Sequence, residues 1–106
     1  MEELKIEIKK LAEEELERAN EKFPLFHSDH EALGVLEEEV MEVDYEWKNI
    51  NNCFIDFKLN VFHDMEIDKI INIENLKIHA INACAEMIQV IAMCDKFIDS
   101  RVERDE

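Results

Sequence analysis

The chain has 106 residues, with twelve Lys and Arg against twenty-seven Asp and Glu, and a formal net charge of −15. That length fits one domain, residues 1–106, whose core stays modest unless subunits share it. The charge excludes DNA and RNA as partners and disfavours an anionic membrane, because phosphates are held by Lys and Arg; a nucleotide remains open if a divalent cation bridges the two negative surfaces.

One Gly and one Pro leave too few turn formers for a sheet protein, and abundant Glu, Leu, Ile, Ala and Met favour helix, so the fold class is all-α. The opening MEELKIEIKK has no apolar core of a signal peptide, and no apolar run is expected to span a bilayer. Cys53, Cys84 and Cys94 sit in apolar surroundings and are expected to be buried and reduced, which suits a cytoplasmic protein without membrane contact.

A first helix is expected from residue 2 to about 21, with an imperfect apolar stripe of Leu4, Ile8, Leu11 and Leu16. Phe23-Pro24 stops it, since proline restricts the residue before it and cannot continue the hydrogen-bond ladder. After the loop PLFHS, Ser28 with Glu31 three residues on forms a capping box and starts a second helix near Asp29. Leu33, Leu36, Val40, Val43, Trp47, Ile50, Phe54, Phe57 and Val61 follow in steps of three and four. That unbroken heptad seam predicts one helix from about 29 to 62.

The seam fails at Asp64. A turn is expected at His63-Asp64-Met65, with Asp64 as a possible N-cap of a third helix reaching about residue 100, beyond which the tail frays. The third helix carries an apolar series of Ile67, Ile71, Ile78, Ile81, Ala85, Ile88 and Ala92. Asn72 to Asn75, NIEN, is an alternative second break, which would leave 64–72 as a loose segment or short helix.

Within AINACAEMIQVIAMC, residues 80–94, only Asn82, Glu86 and Gln89 are polar, and His79 extends their line. A helix apolar all round is a buried one, so Glu86 must be protonated, paired with a cation or bound to a metal. No Lys or Arg lies in that window. If the second and third helices form an antiparallel hairpin turning at Asp64, Glu42 stands level with Glu86 and Glu39 level with Gln89. Four oxygen ligands on two facing helices suit a hard cation such as Mg²⁺. A solvated acidic face beside a structural Glu86 is the alternative.

At these residues the sequence resembles the MazG-like nucleoside triphosphate pyrophosphohydrolases, an all-α family marked by two glutamates, any two residues and a third glutamate, then Glu, any two, Asp on a later helix. Glu38-Glu39-Val40-Met41-Glu42 matches the first half. Glu86-Met87-Ile88-Gln89 matches the second, with Gln where the motif has Asp. FHSDHEALGVLEEEV and AEMIQVIAM also look like a branch of the family that carries Gln there, and the resemblance covers residues from about 23 to 99.

The resemblance implies hydrolysis of a nucleoside triphosphate to the monophosphate and pyrophosphate, with Mg²⁺ (or Mn²⁺ in its place) as cofactor. It implies Glu39, Glu42, Glu86 and Gln89 as metal ligands, and Glu38 as a catalytic acid that either supports those ligands from behind or helps orient the attacking water. It also implies a homodimer or dimer of dimers, which the seam with Trp47, Phe54 and Phe57 suits. A non-catalytic helical oligomerisation or nucleotide-binding module is the alternative function.

Of the remaining residues, His30 near the helix start could contact a base or phosphate, and Lys96 could reach phosphates or be a plain surface lysine. His27 and His30 lack the nitrogen and sulfur partners that zinc wants. Phe23, Phe26 and Trp47 could stack a nucleobase or simply pack. His63 is a turn residue, and no base is positioned to make Cys84 or Cys94 a nucleophile.

Overall fold

The computed structural model describes residues 1–105, and the side chains of residues 1–102. Three helices account for nearly all of it: α1 (Glu2–Asn20), α2 (Asp29–Phe62) and α3 (Glu66–Asp105), with no strand among the described residues. The protein is all-α. NIEN lies inside α3, so the turn at residues 63–65 is the one break between the two long helices.

That turn is built differently from expectation. Asp64 does not cap the start of α3; it ends α2. Its φ is 52°, in the left-handed region. Met65 N–H donates to Asn60 O at 3.0 Å and Asp64 N–H to Val61 O at 3.3 Å. This pair of bonds is the Schellman arrangement, which collects the carbonyls that a helix end leaves without partners. Glycine usually fills the left-handed position; aspartate is among the few other residues that tolerate it. The Asp64 carboxylate accepts from Lys69 Nζ at 3.2 Å.

α2 begins as expected, with Glu31 N–H donating to Ser28 Oγ at 3.1 Å. α3 continues helically to Asp105, past the fraying expected from about residue 100; residue 106 lies outside the described residues. The reason is at Ser100, which is fully buried. Its Oγ accepts the Phe26 N–H at 2.8 Å and donates to Lys96 O at 2.7 Å, tying α3 to the loop before α2.

The heptad seam of α2 divides between two faces. Leu36, Val43, Ile50 and Phe57 are half-buried, whereas Leu33, Val40, Trp47, Phe54 and Val61 are exposed. The inward line of α2 is Ala32, Leu36, Glu39, Val43, Glu46, Ile50, Cys53, Phe57 and Asn60, again in strict steps of four and three. α3 has its own inward line: Lys69, Asn72, Leu76, His79, Ala83, Glu86, Val90, Met93, Phe97 and Ser100. Polar positions therefore interrupt the buried apolar stripe of each helix.

The apolar series expected to face inward on α3 lies mostly outside. Ile67, Ile71, Ile78, Ile81 and Ala85 are exposed, and only Ile88 and Ala92 turn in. Cys84 and Cys94 are likewise exposed rather than buried, and Cys53 is half-buried. On α1, Leu4 and Leu11 are exposed, while Ala12 is fully buried and Ile8, Leu16 and Ala19 are half-buried. The common cause is phase: when two apolar lines run side by side on a helix, hydrophobicity alone does not say which one meets the neighbour.

The chain divides into two compact units, Met1–Val40 with the segment from Glu86 onward, and Met41–Ala85. In the first unit α1, the head of α2 and the tail of α3 enclose Phe26, Ala32, Ala92 and Met93, flanked by Leu16, Ala19, Val35, Leu36 and Phe97. The second holds the later part of α2 and the first half of α3. Asn60 Nδ2 donates to Asn72 Oδ1 at 2.6 Å, and His79 Nδ1 lies 2.7 Å from Glu46 Oε2.

Candidate metal centre

Glu39 and Glu86 occupy polar positions on the inward lines of α2 and α3, so helix packing turns them toward each other. Glu42 follows Glu39 by one turn of the same helix, three residues on, where side chains share a face. Each of the three offers a carboxylate oxygen, and these oxygens lie within 4.8 Å of one another. Glu39 and Glu86 are half-buried and Glu42 is exposed, so the cluster opens to solvent at Glu42.

Two full negative charges at that spacing repel by roughly 1 kcal/mol in a water-like medium and by about 3–4 kcal/mol at an effective dielectric near 20. A cation among the three converts repulsion into attraction. The donor set, oxygens from carboxylates with one side open, suits a hard divalent ion that keeps some of its water, as Mg²⁺ does.

Gln89, one turn beyond Glu86, has its amide engaged elsewhere. Nε2 donates to Glu15 Oε2 at 2.6 Å. Glu15, on α1, also pairs with Arg18. The Gln89 amide, then Arg18, hold the Glu15 carboxyl below its ordinary range. Gln89 Oε1 is the atom that remains for a cation. Glu15 was not legible in the sequence: it closes the run Glu13-Glu14-Glu15, and nothing in the spacing distinguishes one of the three. The Glu46–His79 pair of the second unit was also missed. Glu46 is only 13% exposed, and its contact with His79 fixes the imidazole with Nδ1 toward the carboxylate.

The other expected site residues stand apart from the carboxylates. Glu38 is exposed, beside Glu39. His30 is exposed, nine residues before Glu39, which is about 13 Å of helix rise. Lys96 is ten residues beyond Glu86, or about 15 Å. It is not a surface lysine: only 6% of it is exposed, and its Nζ stands 4.9 Å from the centroid of the Phe26 ring. Burial lowers its pKa, and the Glu31 charge opposes that. Phe26 is buried by packing, whereas Phe23 and Trp47 are exposed.

By length and composition, α3 contains a segment within Glu66–Val102 apolar enough to cross a membrane, with mean hydropathy 1.2, contrary to expectation. Three of its polar residues have protein neighbours: Gln89 meets α1, and His79 and Glu86 meet α2. A core helix passes the same test. No protein-family model, curated protein or solved structure matches the chain.

Proposed function

We propose that the chain is a Mg²⁺-dependent nucleotide pyrophosphohydrolase that converts a nucleoside triphosphate to the monophosphate and pyrophosphate. The observation that carries this reading is the convergence of Glu39, Glu42 and Glu86 from two helices, at the positions of the two family-like motifs. These carboxylates would hold Mg²⁺, or Mn²⁺ in its place, with Gln89 Oε1 as a neutral fourth oxygen. The bound ion supplies charge neutralisation of the triphosphate and a more acidic coordinated water. Glu38, exposed beside Glu39, orients the attacking water, and the opening at Glu42 admits the substrate.

In this reading α2 and α3 form a long antiparallel hairpin whose core is completed by a second copy, in a cytoplasmic homodimer or dimer of dimers. Leu33, Val40, Trp47, Phe54 and Val61 recur every seventh residue on α2, each about half exposed or more. Such an apolar heptad line suits another helix.

The engagement of Gln89 with Glu15 favours a second reading, a non-catalytic helical oligomerisation or nucleotide-binding module that keeps the bundle without turnover. A pyrophosphate-release screen across the common nucleotides with Mg²⁺ or Mn²⁺, repeated on Glu86→Ala, separates the two. Release lost in the variant supports the enzyme. A melting temperature raised by either cation, without release, supports the module. No response to either cation removes the cation site.

A further inference from the structure

The unit Met41–Ala85 has no core of its own. Ala83 is its one buried side chain, whereas Phe26, Ala32, Ala92 and Met93 all belong to the other unit. On α2, Val43, Ile50 and Phe57 are half-buried on the inward line. Beside them Trp47, Phe54 and Val61 recur every seventh residue, and each is 47–54% exposed. α3 adds an open, apolar recess to the same unit. Phe57, Ile70 and Ile73 line it together with Glu66, Lys69 and Glu74, and it holds about 330 Å³. Two helices cover each other along one side only, so an amphipathic pair of this kind leaves apolar surface that needs further helices.

The area agrees. The chain exposes 8043 Å², whereas a folded monomer of 12.6 kDa exposes about 6,200 Å². The surplus, roughly 1,800 Å², is about twice what one partner contributes to a standard stable interface and lies in the range of obligate homodimers, about 1,000–2,500 Å² a side. We propose that two copies associate through this unit, the Trp47–Phe54–Val61 line of each packing on the Phe57–Ile70–Ile73 recess of the other, in a four-helix bundle whose core neither copy has alone. Line and recess sit on one unit, so a two-fold pairing uses both twice. The heptad spacing is what helix-on-helix packing requires. The line itself carries no charge, so two chains of −15 can meet there with their acids in solvent. The remaining like-charge repulsion is screened by salt. Such a pairing serves the hydrolase and the module alike, and confines the second copy to one unit rather than the whole α2 line.

The test uses the full chain in EDTA, with no cation or nucleotide, so its outcome is independent of the pyrophosphate screen. Sedimentation equilibrium over a wide concentration range is expected to give a dimer whose affinity rises with salt. Hydrogen exchange should slow with protein concentration in residues 41–85 and stay constant around Phe26, Ala32 and Ala92. Phe54→Glu enters a two-fold contact twice and should weaken association about a hundredfold. Ile6→Glu, at a 61% exposed position of α1, should leave association unchanged. A monomer at every concentration overturns the proposal and leaves the face to a different protein's helix. A dimer that survives Phe54→Glu, or whose added protection falls outside residues 41–85, overturns it too. Should Phe54→Glu fail to fold, the wild-type mass and the location of its concentration-dependent protection decide.

Discussion

The Gln89 amide on α3 donates to the Glu15 carboxylate on α1 at 2.6 Å, so the residue standing where the motif has an acid is neutral and serves as a donor. An aspartate at 89 would set a second carboxylate against Glu15. The bond is the first cause of the depression of the Glu15 pKa, ahead of Arg18. A carboxyl whose folded pKa is lowered contributes stability above its ordinary value of 4.5 and loses it as pH falls through the folded value. Gln89→Ala should cost about 1 kcal/mol near pH 7. Urea denaturation at pH 7 and at pH 3 checks it: the gap between variant and wild type should shrink at the acid pH.

Glu86→Gln removes one of three mutually repelling carboxylates and keeps its volume. Without divalent cations the variant should melt higher than wild type. Wild type in millimolar Mg²⁺ should recover and pass it, since a ligand at a hundred times its Kd adds about 2.7 kcal/mol. The variant should show little or no rise. Scanning calorimetry with EDTA and with Mg²⁺ reads both effects.

Asp64→Gly relieves the left-handed backbone at the α2 end. It forfeits the Lys69 contact, but Asp64 is 92% exposed there and such pairs are weak. The expected net gain is about 0.5 kcal/mol, or roughly 2–4 °C in Tm. Asp64→Val, with a branched side chain in the same conformation, should lower Tm.

Lys96 gives a slope of the same sign as Glu15, at the alkaline end of the pH range. Burial lowers its pKa in the folded chain. Between that lowered value and lysine's ordinary 10.5 the unfolded chain binds a proton that the folded chain does not, so this group makes stability rise with pH through that interval. Lys96→Met retains the stem and removes the charge. Denaturation midpoints measured from pH 7 to 10.5 should lose that rise.

Ser100→Ala leaves the Phe26 N–H without its acceptor in a buried setting, which should cost about 1–3 kcal/mol. Hydrogen exchange should quicken at Phe26 and toward the end of α3, because the tie between them is gone.

Three helices, the stop at Phe23-Pro24, the start at Ser28 and the turn near Asp64 were legible because each rests on local chemistry: a proline, a cap, a failed repeat. The meeting of Glu39, Glu42 and Glu86 was legible because charge crowding on one helix and an isolated acid in an apolar window are complementary anomalies. The facing side of each helix was not legible. α2 carries two apolar lines in one seam, and the line that turns inward is shared with Glu39, Glu46 and Asn60. The burial of Lys96 was hidden for a related reason. Its cover comes from Phe26, seventy residues earlier in the chain, and no periodicity spans that distance.

The polar positions set into the inward lines also limit how far one helix can slide on the other. In the unit Met41–Ala85, Asn60 meets Asn72 and Glu46 meets His79. Moving α3 by one heptad toward its N-terminus would still set an aliphatic side chain, Ala83, in the place of Leu76. The amide and the imidazole, however, would lose their matched counterparts. These two pairs therefore act as a vernier: they add little net cohesion, yet they select one alignment among several that greasy contacts alone would tolerate.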